Sequence, residues 1–264
     1  MKIMNPVTKA PHSPWRIAHR GAQDQAPENT RSAFERALAC GVDGIELDVQ
    51  MSADGMPVIF HDPSLYRIAR RRKSVAELSY AELRQLDWGG WFGPSFKGEP
   101  LMTLAQTLSL LAQRTRLLIE IKVHPKERAS GHAQRLTEKV IDLLKTTRPR
   151  PQEANMHILS FDEGVLSLAH GLAPQWRYIL NLAQNRPDAV MQRPPEAFRH
   201  LWAVDVRIGN LSAPLVQWAR SRELRVFTYT CNTPTQVAKA LDLGVDAILT
   251  DRPAWLTRHL KKRP

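Results

Sequence analysis

Glu46 and Asp48 stand two residues apart in the run Gly44-Ile45-Glu46-Leu47-Asp48-Val49, and Glu120 and Lys122 repeat that interval in the run ending Ile119-Glu120-Ile121-Lys122. In an extended chain, residues i and i+2 share a face. Ile45, Leu47 and Val49 alternate with the two acids, so if helices cover the apolar face, the acids turn the other way, inward. A Glu-x-Asp pair on an isolated strand is more often surface decoration. Buried unpaired acids, however, cost too much to be idle. Three converging carboxylates repel one another unless a cation neutralises them. An all-oxygen donor set suits Mg²⁺, Ca²⁺ or Mn²⁺ rather than zinc. His19, followed by Arg20-Gly21, and His61 supply groups that titrate near neutrality and can exchange protons with a substrate. Arg20 and Lys122 supply positive charge able to clamp a phosphoryl group. In Pro27-Glu28-Asn29-Thr30, Asn29 or Thr30 suits a helix N-cap, and Glu28 is placed to support the site from behind. His12, His170, His200 and His259 lie in no acid-rich setting.

Elements that could position these groups are spread along the whole chain. Eight runs read as strands: Trp15–Ala18, Gly44–Val49, Leu117–Lys122, His157–Phe161, Tyr178–Leu182, Trp202–Val206, Arg225–Thr230 and Ala247–Thr250. Helix-like stretches separate most of them: Thr30–Cys40, Thr103–Arg114, Gly131–Lys145, Ser212–Ser221, Pro234–Leu243 and Pro253–Leu260. Between Tyr178 and His200 the helical pattern is interrupted by Pro187, Pro194 and Pro195. Strand–helix alternation implies parallel pairing. Eight such units imply an α/β fold of the (β/α)₈, TIM-barrel kind, which suits a length of 264 residues. Both acidic pairs then lie at the C-terminal ends of strands, where barrel active sites form. Gly41-Val42-Asp43-Gly44-Ile45 is echoed by Gly244-Val245-Asp246-Ala247-Ile248, each opening a strand after a helix.

One strand, Pro57–Asp62, stands outside the alternation and follows Asp54-Gly55, a strong hairpin signal. A two-residue loop would set Ala53 against Met56, and hence His61 opposite Asp48. Between that hairpin and the next helix lies an insertion, about residues 62 to 102. It carries Arg67, the run Arg70, Arg71, Arg72 and Lys73, and the aromatic residues Trp88, Trp91 and Phe92. The chain is expected to be a single catalytic domain over residues 1–264, with this insertion either shaping the substrate site or forming a satellite core.

Composition narrows the function classes. The chain is 43% hydrophobic and 24% charged, an ordinary globular balance that excludes disordered and disulfide-scaffold classes. No apolar run approaches the length of a transmembrane helix, and the first residues lack the apolar stretch of a signal peptide. Cys40 and Cys231 are expected to be reduced thiols of a cytoplasmic protein. A net charge of +11 suits an anionic partner such as a phosphorylated substrate, a membrane surface or nucleic acid. No nucleic-acid-binding motif accompanies the basic clusters.

Taken together, the motifs resemble the glycerophosphodiester phosphodiesterase family in its bacterial cytoplasmic form. The pieces that carry the resemblance are His19-Arg20-Gly21, Pro27-Glu28-Asn29-Thr30, Ala33-Phe34, Gly41 to Val49, Asp54-Gly55, Pro57 to Asp62, Ile119 to Lys122, Ser160-Phe161 and Thr250-Asp251-Arg252-Pro253. The resemblance implies a TIM barrel that splits glycerophosphodiesters into glycerol 3-phosphate and an alcohol, a step of glycerol and lipid metabolism. It implies one divalent cation on Glu46, Asp48 and Glu120, acid and base roles for His19 and His61, and phosphate contacts from Arg20 and Lys122. It further implies attack by the glycerol 2-hydroxyl on phosphorus to give a cyclic phosphate, which water then opens. Phe227 stands where family members often carry Trp, and Asn232 matches a recurrent Asn. Both are expected to support the pocket, with Glu28 and Asn29. Leu118, Ile68 and Leu101-Met102 also depart from the family pattern, which bears on the shape of the alcohol pocket.

Two other readings compete. A related lipid-acting phosphodiesterase, lysophospholipase D-like, would use the aromatic and basic insertion at a lipid surface. A non-catalytic barrel would grip nucleic acid through Arg70–Lys73. Retention of every acid, base and ligand candidate argues against the latter, and the expected partner is a small glycerophosphodiester rather than nucleic acid.

Overall fold

The computed structural model describes residues 13–124, 131–148, 152–182 and 187–261. Nine strands are seen among them: β1 (Trp15–His19), β2 (Gly44–Met51), β3 (Pro57–Ile59), β4 (Arg116–Ile121), β5 (Met156–Ser160), β6 (Arg177–Leu182), β7 (Ala203–Arg207), β8 (Arg225–Tyr229) and β9 (Ala247–Thr250). All but β3 are parallel, and β1 pairs with both β2 and β9, which closes an eight-stranded barrel. Each strand expected from the alternation is present. The helices are α1 (Arg31–Ala39), α2 (Tyr66–Ala69), α3 (Tyr80–Leu83), α4 (Leu104–Leu111), α5 (His132–Thr146), α6 (Glu163–Leu172), α7 (Pro187–Met191), α8 (Ala213–Arg220), α9 (Pro234–Asp242) and α10 (Pro253–Lys261). Where prolines interrupt the pattern, the chain forms only the short α7 and a 3₁₀ turn at Pro195–Phe198. The two cysteines are free thiols.

Local chemistry explains the boundaries. Thr30 caps α1, its hydroxyl accepting from Ala33 N at 3.3 Å. Thr103 with Gln106 opens α4, and Thr233 with Gln236 opens α9, by reciprocal capping in which each pair satisfies two backbone N–H groups.

The alternation sorts the strands into two layers. Ile45, Leu47 and Val49 pack outward into the core beneath the helices, with Phe34, Leu104 and Leu108. A second cluster fills the barrel: Ile17, Leu118, Leu159, Ile179, Ala203, Phe227, Ala247 and Leu249. The inward positions above this plug are polar, and Glu46, Asp48 and Glu120 are among them.

The hairpin differs from expectation. Val49 pairs with Ile59 and Met51 with Pro57, and Ser52 N donates to Met56 O at 3.0 Å. The loop is therefore the three residues Ala53–Gly55, not two, with Gly55 at φ +83°, a left-handed position that glycine accepts without cost. One added loop residue shifts the register by one, so Asp48 meets Phe60, whose N–H bonds to Asp48 O at 3.0 Å. His61 is one residue beyond that pairing, and it reaches the barrel mouth from past the end of β3.

Within residues 62 to 102, Leu65, Ile68, Val75, Leu78, Leu83, Trp88 and Leu101 form a separate core with Val58 and Phe60. Trp88 is 3% exposed and its indole N–H donates to Leu83 O at 2.9 Å. This tryptophan holds the insertion together and offers nothing to a lipid surface. Among the described residues no helix is long and apolar enough to cross a membrane.

Candidate active site

A cavity of about 430 Å³ opens at the C-terminal ends of the strands. His19, Arg20, Glu46, His61, Glu120 and Lys122 line one side of it. Barrel closure sets Glu46 beside His19, because β1 and β2 are in register there. It sets Asp48 beside Glu120 across β2 and β4. All three acids are buried, and one oxygen from each lies within 4.8 Å of the others.

Burial and the charges of Asp48 and Glu120 push Glu46 well above the ordinary carboxylate range. Burial acts on Asp48 in the same direction, but Lys122 and Arg20 overcome it and hold Asp48 well below that range. Lys122 Nζ lies 2.8 Å from Glu120 Oε1 and 3.3 Å from Asp48 Oδ1. Its own basicity is raised: burial opposes the charged form, and Glu120 and Asp48 more than offset it. Arg20 Nε lies 3.2 Å from Asp48 Oδ2, and its Nη1 donates to Glu28 at 3.0 Å. Three buried acids with crowded negative charge and hard oxygen donors fit a divalent cation.

The turn after β1 needs its sequence. Arg20 and Gly21 both take positive φ, +57° and +86°. A Cβ on Gly21 would meet the Ala33 Cβ at 2.7 Å, so only glycine lets α1 approach this closely. The turn aims Arg20 N at a Glu46 oxygen, at 3.0 Å. Asn29 Nδ2 donates to Asp48 Oδ2 at 2.9 Å, while Glu28 meets Arg20 and Arg67.

Each histidine is backed by a carboxylate. His19 Nδ1 lies 2.7 Å from Asp251 Oδ1, and His61 Nδ1 lies 2.8 Å from Asp62 Oδ1. An ionised carboxylate only accepts, so Nδ1 carries the proton in both rings and Nε2 is left for the cavity. Asp251 is itself held: Asn232 Nδ2 donates to its Oδ2 and Gln23 Nε2 to its Oδ1, each at 2.6 Å. Asn232 thus reaches His19 only through Asp251. Burial and the charge of Arg20 lower the basicity of His19. Asp62 accepts from Arg67 Nε at 2.6 Å, and Arg67 also reaches both oxygens of Glu28 at 2.9 and 2.8 Å. Glu28, His61 and Asp62 also form a cluster with metal-ligand spacing, but its two carboxylates are already paired, Asp62 with Arg67 and Glu28 with Arg67 and Arg20.

The far side of the cavity is formed by Leu159, Phe161, Asn181, Asp205, Arg207, Tyr229, Thr230 and Leu249. Phe227 is not among these. It is fully buried in the plug beneath, and Tyr229, two residues on and on the same face, is the β8 ring at the mouth. The pairing of Asp251 with His19 and Gln23, and of Arg67 with Glu28, is made by closure and by the insertion, so local spacing does not reveal it, whereas Asp62 directly follows the histidine it holds. Asn181 and Asp205 show only as single polar residues in otherwise apolar strands.

Comparisons with known proteins show the family and the fold. The model of the family described as "Glycerophosphoryl diester phosphodiesterase family" matches residues 19–255. YhdW of Bacillus subtilis is 32% identical over 255 residues, 93% of this chain and 97% of its own. A glycerophosphodiester phosphodiesterase of Caldanaerobacter subterraneus is 30% identical over 252 residues, covering 93% of this chain and 97% of its own. The solved structure of an Oleispira antarctica phosphodiesterase, in complex with the product sn-glycerol-3-phosphate, superposes with a TM-score of 0.84 at 26% identity. It covers 94% of this chain and 97% of that one.

Proposed function

The chain belongs to the glycerophosphoryl diester phosphodiesterase family, and from that premise we propose that it hydrolyses glycerophosphodiesters to sn-glycerol 3-phosphate and an alcohol with one divalent cation and two histidines. The observation that carries the reading is a trio of clustered, buried carboxylates, two of which, Glu46 and Glu120, line one cavity with two histidines whose Nδ1 atoms are each held by an acid. The Oleispira relative, solved with sn-glycerol-3-phosphate, supports the product assignment.

Glu46, Asp48 and Glu120 would hold the cation. When bound, such an ion polarises phosphoryl oxygens and eases deprotonation of a nearby hydroxyl. Arg20 and Lys122 sit beside the acids and extend their charge to the non-bridging oxygens of the diester. One histidine, through Nε2, takes the proton of the glycerol 2-hydroxyl as it attacks phosphorus. The other gives a proton to the departing alcohol. The roles reverse when water opens the cyclic phosphate. Asp251 and Asp62 keep both rings in the tautomer this exchange needs and stabilise the charged form when it arises.

Release of glycerol 3-phosphate from glycerophosphocholine and glycerophosphoethanolamine tests the reading. EDTA should abolish release, and Mg²⁺, Ca²⁺ or Mn²⁺ should restore it. Absence of release with every cation, with turnover of a lysophospholipid instead, would replace this reading with the lipid-acting one.

A further inference from the structure

One wall of the cavity is polar yet plays no part in holding the cation, the phosphate or the histidines. Asn181 on β6 and Asp205 on β7 are register partners on neighbouring strands. Both line the same cavity as Glu46, Glu120, His19 and His61. They are buried, at 5% and 2% exposure. Oδ1 of each lacks a hydrogen-bond partner among the described residues. Buried polar atoms are rarely left so, because the lost hydration goes uncompensated. Leu159 and Leu249 line the same cavity and keep its deep part apolar. A recess with a carboxyl and a carboxamide side by side is built for a group that both donates and accepts, such as a hydroxyl.

The substrate has such a group. For the 2-hydroxyl to reach phosphorus between the acids and the histidines, the glycerol half must lie inside the ring. Its terminal hydroxyl takes no part in bond-making and needs a partner at that depth. The rim, by contrast, carries Phe161, 41% exposed, together with Arg207 and Tyr229, and suits the alcohol that varies between diesters. We propose that Asn181 and Asp205 bind the terminal hydroxyl of the glycerol half and make the site selective for glyceryl diesters over diesters of simpler 1,2-diols. The inference rests on the function proposed above.

Two substrates with one leaving group isolate this contact: glyceryl p-nitrophenyl phosphate and 2-hydroxypropyl p-nitrophenyl phosphate. The second keeps the attacking hydroxyl and lacks only the terminal one. With the activating cation present, the ratio of kcat/KM should favour the glyceryl diester by about tenfold or more, since a site built around a hydroxyl rejects the analogue without it. The ratio should fall towards one in Asp205→Ala and in Asn181→Ala, and partly in the isosteric Asp205→Asn. Asp205→Asn and Asn181→Ala keep the test open if Asp205→Ala does not fold. A structural role would lower both rates and leave the ratio unchanged, and that result overturns the proposal. So does a wild-type ratio near one. If the wild type turned over neither diester with any cation, the reading of the function would fall first, a result distinct from a flat ratio.

Discussion

His19 and His61 are held alike at Nδ1 but by acids of different standing. Asp251 receives further bonds from Gln23 and Asn232, whereas Asp62 shares Arg67 with Glu28. Removing either imidazole should leave Glu46, Asp48 and Glu120 untouched. His61→Ala is expected to retain Mn²⁺ binding, measured by calorimetry, and to lose about 10²-fold or more in kcat. Asp251→Asn keeps the shape at His19 but lets the ring adopt the other tautomer. It should cost about 10²-fold or more in kcat with little change in melting temperature. Glu46→Ala or Asp48→Ala should abolish metal-dependent turnover and metal binding while circular dichroism stays that of the wild type. The acids, the histidines, Arg20 and Lys122 are legible from strand spacing and motif. Asp251 is not, because its partner lies 232 residues away and no local period connects them. Phe227 shows the limit on one strand: position and face were readable, but not the depth, which the barrel's stagger decides.

At the scale of elements, the insertion and the hairpin carry His61. Val58 and Phe60 of the hairpin pack into the insertion's own core with Trp88, and the Phe60 and Trp88 rings meet edge to face at 5.4 Å. Trp88→Ala should therefore destabilise the protein by about 3–5 kcal/mol in urea unfolding. Restoring bulk with Trp88→Phe should recover part of that. Strand order, helix alternation and the hairpin's existence followed from periodicity and from Asp54-Gly55. The register did not, because the dipeptide signals a turn without stating how many residues it contains. A single extra loop residue was enough to move Asp48 from His61 to Phe60.

The whole molecule carries a pH liability far from its chemistry. His157 is buried beneath the barrel, with its ring centroid 5.5 Å from that of Trp15 and 5.0 Å from that of Trp202. Burial, then the charge of Arg177, lowers its pKa to about 3. Unfolding releases it to an ordinary value near 6.5, so between about pH 6.5 and 3 the unfolded chain binds the extra proton. Stability is whole above that window and declines as pH falls through it. From this site alone the loss at pH 5 relative to pH 7 is about 2 kcal/mol. Urea midpoints at the two pH values should draw closer together in His157→Asn, and an unchanged gap would assign the acid sensitivity elsewhere.

The seam where β1 meets β9 has a consequence for synthesis. His19 is made 232 residues before Asp251, which orients it and comes just after the last barrel strand. Until that strand is in place, the ring has no fixed tautomer and the barrel no wall beside it. A nascent chain that already held Glu46, Asp48 and Glu120 together would therefore still leave phosphodiesters untouched. Hydrolysis begins only when the circle is joined, so the activity of a sample counts completed barrels rather than chains.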